Sequence, residues 1–253
     1  MSRPELSVHT DAPAMARSVA AALAEAVAAA QAERGSASVV LTGGRNGNAL
    51  LAELAGMARG DVDWSRVDLW WGDERFLPEG DADRNATQAR DRFLGAVPLD
   101  PARVHVMPAS DGPDGADPEA AAERYAAELA EASRVEGLAE QRVPLFDVVL
   151  LGVGPDAHVA SLFPGRPELS EGDATVLAVR NSPKPPPTRV TLTLPAIRTA
   201  REVWLLAAGE DKAEAVAKVM EDSAESGDVP AALVSGRRRT VLFVDQAAAT
   251  KIR

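Results

Sequence analysis

The chain has no cysteine among its 253 residues. That absence removes disulfides, thiolate metal sites and a cysteine nucleophile together, and it suits a reducing cytoplasm. Histidine is scarce: the three stand at positions 9, 105 and 158. They show no ligand spacing, so a metal site assembled around Asp73 and Glu74 is conceivable but not favoured, and no metal is expected. Basic residues are outnumbered, with 27 Lys and Arg against 38 Asp and Glu and a net charge of −11. This balance argues against nucleic acid or an anionic membrane as the main partner. A small anionic substrate remains open, because a local cluster of cations and backbone N–H groups overrides the global sign. No apolar run approaches the roughly 20 residues of a membrane span. Glu5, Asp11, Glu25 and Glu33 interrupt the alanine-rich N-terminal stretch, which therefore lacks the compact apolar segment of a signal peptide. The expectation is a soluble, unprocessed, cytoplasmic protein.

What is present is ordinary for a globular chain, with 46% hydrophobic and 26% charged residues. The pattern alternates throughout. Glu5–His9 reads as an edge strand, and Asp11 or Thr10 caps a helix over Ala14–Arg34 that Gly35 stops. Ser38–Thr42 reads as a strand, followed by the loop Gly43-Gly44-Arg45-Asn46-Gly47 and a helix over Ala49–Ala58. Val67–Trp71 is a strand running into Gly72–Pro78. Arg84–Leu94 and Pro118–Ser133 read as helices, Val104–Val106 as a short strand, and Asp111–Asp117 and Glu136–Val143 as exposed loops. Strands follow at Phe146–Leu151, Thr175–Val179, Glu202–Ala208 and Thr240–Asp245, with a helix over Glu210–Glu221. The alternation, with no internal repeat and no evident linker, implies an α/β fold: a single domain over 1–253 with a mostly parallel sheet and helices on both faces, a Rossmann-like open α/β sandwich.

The stretch with most chemistry is Leu150–Gly165, LLGVGPDAHVASLFPG. A buried strand ends in Gly152 and Gly154, and Asp156 and His158 follow on the loop. In open α/β sheets ligands bind beyond the carboxyl ends of the strands, and imidazole titrates near neutral pH. Residues 152–157 formally match the dinucleotide fingerprint G-x-G-x-x-G/A. Against that reading, Asp156 places a negative charge where a pyrophosphate would sit. Pro164 and Gly165 cut any following helix short, and residues 176–180 (VLAVR) offer no ribose-binding carboxylate.

Two further stretches suit an anion. Gly43 and Gly44 before a helix leave backbone N–H groups free, aided by the helix dipole, in a spacing unlike that of a nucleotide P-loop. Arg75, at a strand end, suits a phosphate or carboxylate, and Asp73 a hydroxyl or a proton. Lys184 stands on a stiff arm with four prolines among residues 183–187, a segment that composition alone reads as a rigid connector or partner motif. Lys212 in the first turn of a helix is awkward for a cation unless an anion is near.

Together these stretches resemble the 6-phosphogluconolactonase family, of the glucosamine-6-phosphate isomerase/deaminase-like superfamily. The motifs are LTGG at 41–44, WWGDERFLP at 70–78, RNATQAR at 84–90, LGVGPDAHVASLFPG at 151–165 and SPKPPPTRVTLTLPAI at 182–197. The resemblance spans nearly the whole chain. It implies hydrolysis of 6-phospho-D-glucono-1,5-lactone to 6-phosphogluconate, the second step of the oxidative pentose phosphate pathway, with no metal and no organic cofactor. It further implies His158 as base oriented by Asp156, with Gly43, Gly44, Asp73, Arg75, Lys184, Arg189 and Lys212 around a phosphorylated sugar lactone. The deaminase branch carries a Glu five places after this His, where Phe163 stands here. Two departures from the family pattern are Ala157, where Gly is usual, and Arg45-Asn46, where Ser-Thr is commoner. A deaminase or isomerase, or a non-catalytic sugar-phosphate sensor, are the alternatives. The expected state is a monomer or weak homo-oligomer.

Overall fold

The computed structural model describes residues 3–57, 60–221 and 228–252. In chain order the elements are β1 (Glu5–His9), α1 (Ala12–Arg34), β2 (Ala37–Leu41), α2 (Gly44–Gly56), β3 (Val67–Trp71), β4 (Asp73–Arg75), α3 (Asn85–Arg92) and α4 (Pro118–Val135). Then come β5 (Val148–Gly152), β6 (Val176–Val179), β7 (Arg189–Leu192), α5 (Leu194–Ile197), β8 (Glu202–Ala207), α6 (Ala213–Met220), α7 (Pro230–Leu233) and β9 (Arg239–Asp245).

Six strands form one sheet in the order β1-β9-β8-β5-β2-β3, and every neighbouring pair is parallel. Helices cover both faces, as a parallel sheet requires. β2 and β5 therefore consist almost wholly of buried residues. On one side Trp70 of β3 meets Tyr125 of α4, whose hydroxyl accepts from Trp71 N at 2.9 Å. α1 and α2 pack on each other and on the strands.

Asp11, not Thr10, caps α1, its carboxylate accepting from Ala14 N at 2.7 Å, and Gly35 closes it with φ of 85°. Contrary to the sequence expectation, α1 is long and apolar enough to cross a membrane by length and composition. Here its face of Met15, Val19, Leu23 and Val27 lies in the hydrophobic core.

The strand order has a functional consequence. From β2 the chain moves outward to β3, whereas from β5 it moves the other way to β8 and β9. The switch therefore falls between β2 and β5, whose carboxyl ends carry Thr42-Gly43 and Gly152-Val153-Gly154. Gly152 N donates to Thr42 Oγ1 at 3.2 Å across that gap. A crevice at such a point is where open α/β sheets bind ligands.

Several boundaries differ from the sequence expectation. α2 begins at Gly44, five residues early, so the glycine loop is itself the helix's first turn; Ala58 lies outside the described residues. Val104–Val106 forms only a single bridge to Leu69. Residues 210–212 make a 3-10 turn before α6 rather than its first α-helical turn. The largest difference is a second, antiparallel sheet in the order β4-β7-β6. The charged run Asp73-Glu74-Arg75 is thus a paired strand and not a loop, with Asp73 opposite Thr191 and Arg75 opposite Arg189. It is tied down because it pairs edge to edge with β7, whose Val190 and Thr191 are buried. This small sheet carries Asp73, Arg75 and Arg189 over the crevice.

Candidate active site

A cleft of about 260 Å³ opens at the switch point. Gly43, Gly44, Asp73, Arg75, His158, Lys184, Arg189 and Lys212 all line it, and Asp156 stands behind His158. The fold thus brings together every residue singled out from the sequence, drawn from the ends of β2, β3, β5 and β8 and from the second sheet.

His158 Nδ1 lies 2.5 Å from Asp156 Oδ1, leaving Nε2 as the ring nitrogen able to serve a ligand. The pair depends on Gly154, because a Cβ there would coincide with the imidazole. Gly154 N in turn donates to His158 O at 2.9 Å, closing the loop on itself. Ala157, at the crest of this turn, has φ of 64° and is 1% exposed. Position 157 thus does require the left-handed region that favours glycine. Phe163 packs on the imidazole with ring centroids 4.6 Å apart. The place where a deaminase needs an acid is therefore filled by a buried aromatic ring. Burial alone would raise the Asp156 carboxyl, but the bonds from His158 and Lys184 outweigh it and hold the group well below the usual carboxylate range.

Lys184 Nζ reaches Asp156 Oδ1 and His158 Nδ1, each at 3.1 Å. Arg189 is largely committed to structure. Its Nη2 donates to Pro185 O at 2.8 Å and Lys184 O at 3.2 Å, and its Nε to Pro186 O at 3.2 Å. It therefore fixes the proline arm that presents Lys184. Arg75 Nη1 donates to Asp83 O, which holds its guanidinium at the cleft rim. Asp73 is buried, accepting from Ser161 Oγ at 2.6 Å, with Arg189 Nη1 3.9 Å away. Lys212 lies near Arg45 and Lys184. Burial first, and those two cations next, push its ammonium below the usual lysine range against the pull of Asp211.

The first turn of α2 has no side-chain cap, so its leading amides are not claimed within the helix, and Gly43, Gly44, Arg45 and Asn46 line the cleft. Among the described residues, no group of three or more His, Asp or Glu side chains is placed to hold a metal.

Sequence reasoning missed four contributors. Arg45 Nη2 donates to Ala208 O at 2.7 Å and meets Asp211 Oδ1 at 3.2 Å, joining α2 to the loop after β8. Asn85 Nδ2 donates to Asp73 O at 2.9 Å beneath Gly43. Glu74 is 1% exposed and accepts from Arg75 N, Asn85 N and Ala86 N at 2.7–2.8 Å, supplying the cap α3 lacks. Arg84, also buried, donates to the carbonyls of Leu77 and Met107. The motif RNATQAR was the signal for Arg84 and Asn85, but nothing local shows that Glu74 reaches them.

An open cleft at the switch point of a parallel α/β sheet, rich in cations and holding one paired imidazole, has the make-up of an enzyme's site for a small anion. The profile described as "Glucosamine-6-phosphate isomerases/6-phosphogluconolactonase" matches residues 10–243, and the chain belongs to that family. A Streptomyces coelicolor protein named 6-phosphogluconolactonase is 62% identical over 98% of this chain and 95% of its own length. One so named from Mycobacterium tuberculosis is 50% identical over 87% of this chain and 86% of its own. The solved structure of 6-phosphogluconolactonase from Trypanosoma brucei superposes with a TM-score of 0.81 at 28% identity, covering both chains fully at 100%.

Proposed function

We propose that this chain hydrolyses 6-phospho-D-glucono-1,5-lactone to 6-phospho-D-gluconate, the second step of the oxidative pentose phosphate pathway. The observation that carries the reading is the Asp156–His158 pair, 2.5 Å apart, set in a cationic cleft with Phe163 where a deaminase needs its acid. A non-catalytic sensor would have no use for that pair.

In the mechanism, Asp156 accepts from Nδ1–H, so Nε2 is the free base. As a water oxygen bonds to the lactone carbonyl carbon, Nε2 takes its proton and the carbonyl oxygen becomes an oxyanion. Amides of the glycine turns stabilise that charge, a contribution typically worth about 3–4 kcal/mol per donor. Collapse of the tetrahedral centre breaks the bond to the ring oxygen, which leaves with the proton now on Nε2. Asp156 holds the intervening imidazolium in orientation.

The phosphate belongs at the N-terminus of α2, where the amides of Gly44 and its successors converge with Lys212 and Arg45. Lys184 completes this cluster, and Arg75 and Asp73 receive ring hydroxyls from the opposite wall. Because the phosphate is remote from the carbonyl, its binding energy serves to position the ester. Arg189 acts by holding the proline arm.

The test is lactone hydrolysis with substrate generated in situ and the product followed through a coupled dehydrogenase, for wild type and His158→Ala. A wild-type rate well above the spontaneous opening that vanishes in the variant is the expected result. A wild type no faster than background would overturn the reading.

A further inference from the structure

Lys184 is placed oddly for a residue whose only task is to grip an anion. Its Nζ stands within the catalytic pair itself, 3.1 Å from Asp156 Oδ1 and 3.1 Å from His158 Nδ1. The same Oδ1 is approached by Nδ1 at 2.5 Å. An ammonium has only donors, and an imidazole whose Nε2 is to act as base carries its proton on Nδ1. Two donors then share one carboxylate oxygen and face each other with no acceptor between them. If Lys184 donates to Nδ1 instead, the ring proton sits on Nε2 and the base is lost. In the first arrangement Asp156 is not devoted to the ring, and in the second Nε2 has no lone pair to offer.

The ammonium has a second place to go. Lys212 and Arg45 lie close by, with Asp211 as the carboxylate that pairs with both. A dianion at the N-terminus of α2 would be attractive to Lys184 as well. Lys184 is only partly buried, its side chain 36% exposed, so its stem is not packed in on all sides.

We propose that Lys184 is a positioning residue operated by the substrate: in the free protein its ammonium restrains the Asp156–His158 pair, and the substrate's phosphate draws it aside so that Asp156 serves His158 alone. This rests on the lactonase reading. Its consequence is selectivity expressed in turnover, because a lactone without a phosphate leaves the restraint in place. The charged groups facing His158 across the cleft are Asp73, Arg75, Arg189, Lys212, Arg45 and Asp211, but among the described residues the charged side chains bonded to the imidazole are Asp156 and Lys184.

The test uses D-glucono-1,5-lactone, which lacks the phosphate, with and without phosphite dianion, after subtraction of spontaneous opening. In the wild type, phosphite should raise kcat/KM by about tenfold or more, since binding energy at the phosphate site is then spent on arming the base. Lys184→Met should lose this activation and lower kcat/KM on the phosphorylated lactone. It should also turn over the phosphate-free lactone faster than the wild type does. A lysine that merely binds phosphate produces no such gain. Phosphite without effect on a wild type that hydrolyses the phosphorylated lactone would overturn the coupling and leave the lactonase reading standing. So would a Lys184→Met no faster than wild type on the phosphate-free lactone. A wild type inert on the phosphorylated lactone would overturn both.

Discussion

Glu74 is the residue whose removal the structure prices most clearly. Its carboxylate is 1% exposed and accepts three backbone N–H bonds, from Arg75, Asn85 and Ala86, with Arg84 Nε 3.8 Å away. Glu74→Ala would leave those three donors without their acceptor and the buried Arg84 guanidinium without its counter-charge. Each orphaned buried donor costs about 1–3 kcal/mol, but water entering the vacated space recovers part of the sum. Breaking a buried charge pair by deleting one partner costs about 3–5 kcal/mol, which sets the total. At about 2–4 °C per kcal/mol for a chain of this size, the midpoint of thermal unfolding should fall by about 6–20 °C. Glu74→Gln keeps one carbonyl oxygen but turns an NH2 toward an amide donor, so about 1–3 kcal/mol is expected. Urea unfolding of both variants, followed by circular dichroism, measures these losses. The chain of contacts continues through Asn85 to Asp73 O, so KM for the lactone should rise in Glu74→Gln below its melting temperature. A loss under about 1 kcal/mol in Glu74→Ala would refute the reasoning, because it would mean the three amides find other partners without cost.

Three other outcomes follow from single contacts. Gly154→Ala places a methyl group on the His158 ring, so kcat should fall nearly as far as in His158→Ala while the fold persists; a kcat within about twofold of wild type would contradict the packing, since uniform effects on binding leave kcat alone. Ala157→Gly relieves left-handed backbone strain of about 1–2 kcal/mol but adds about 0.4–1 kcal/mol of unfolded-state entropy and loses a buried methyl worth about 0.8 kcal/mol, so its stability should stay within about 1 kcal/mol of wild type by urea unfolding. His105 stacks on Trp70 at 3.7 Å, and although burial disfavours its charge, the bonds to Asp68 and Glu128 outweigh that and raise its pKa above 6.5. A raised histidine stabilises fully below its unfolded pKa and loses that contribution as pH rises through the folded one. The stability gap between wild type and His105→Gln should therefore narrow from mildly acidic to alkaline pH, and a gap that widens would reverse the assignment.

The parallel sheet was legible because its strands are short apolar runs separated by helical periodicity, a pattern set by burial on both faces and visible residue by residue. The second sheet was not. Asp73-Glu74-Arg75 reads as a solvated charge run in isolation, and its pairing with the buried Arg189, Val190 and Thr191 makes it a strand. The start of α2 was misplaced for a related reason: Gly43 and Gly44 look like loop residues, yet Gly43 is the N-cap and Gly44 the first residue of the helix.

The site shows the same division. His158, Asp156 and the glycines announce themselves because their chemistry lies within one turn of chain. What could not be read is how each cation is used. Arg189 and Lys184 stand five residues apart and look interchangeable, yet the first is spent on the carbonyls of the proline arm and the second is delivered to the Asp156–His158 pair. Arg45 and Asp211 are separated by 165 residues of chain and meet only because β2 and β8 flank β5 with their carboxyl ends together. Charge pairing of this kind is a property of strand order. Until the order is known, a cleft's cations can be counted but their tasks cannot be assigned.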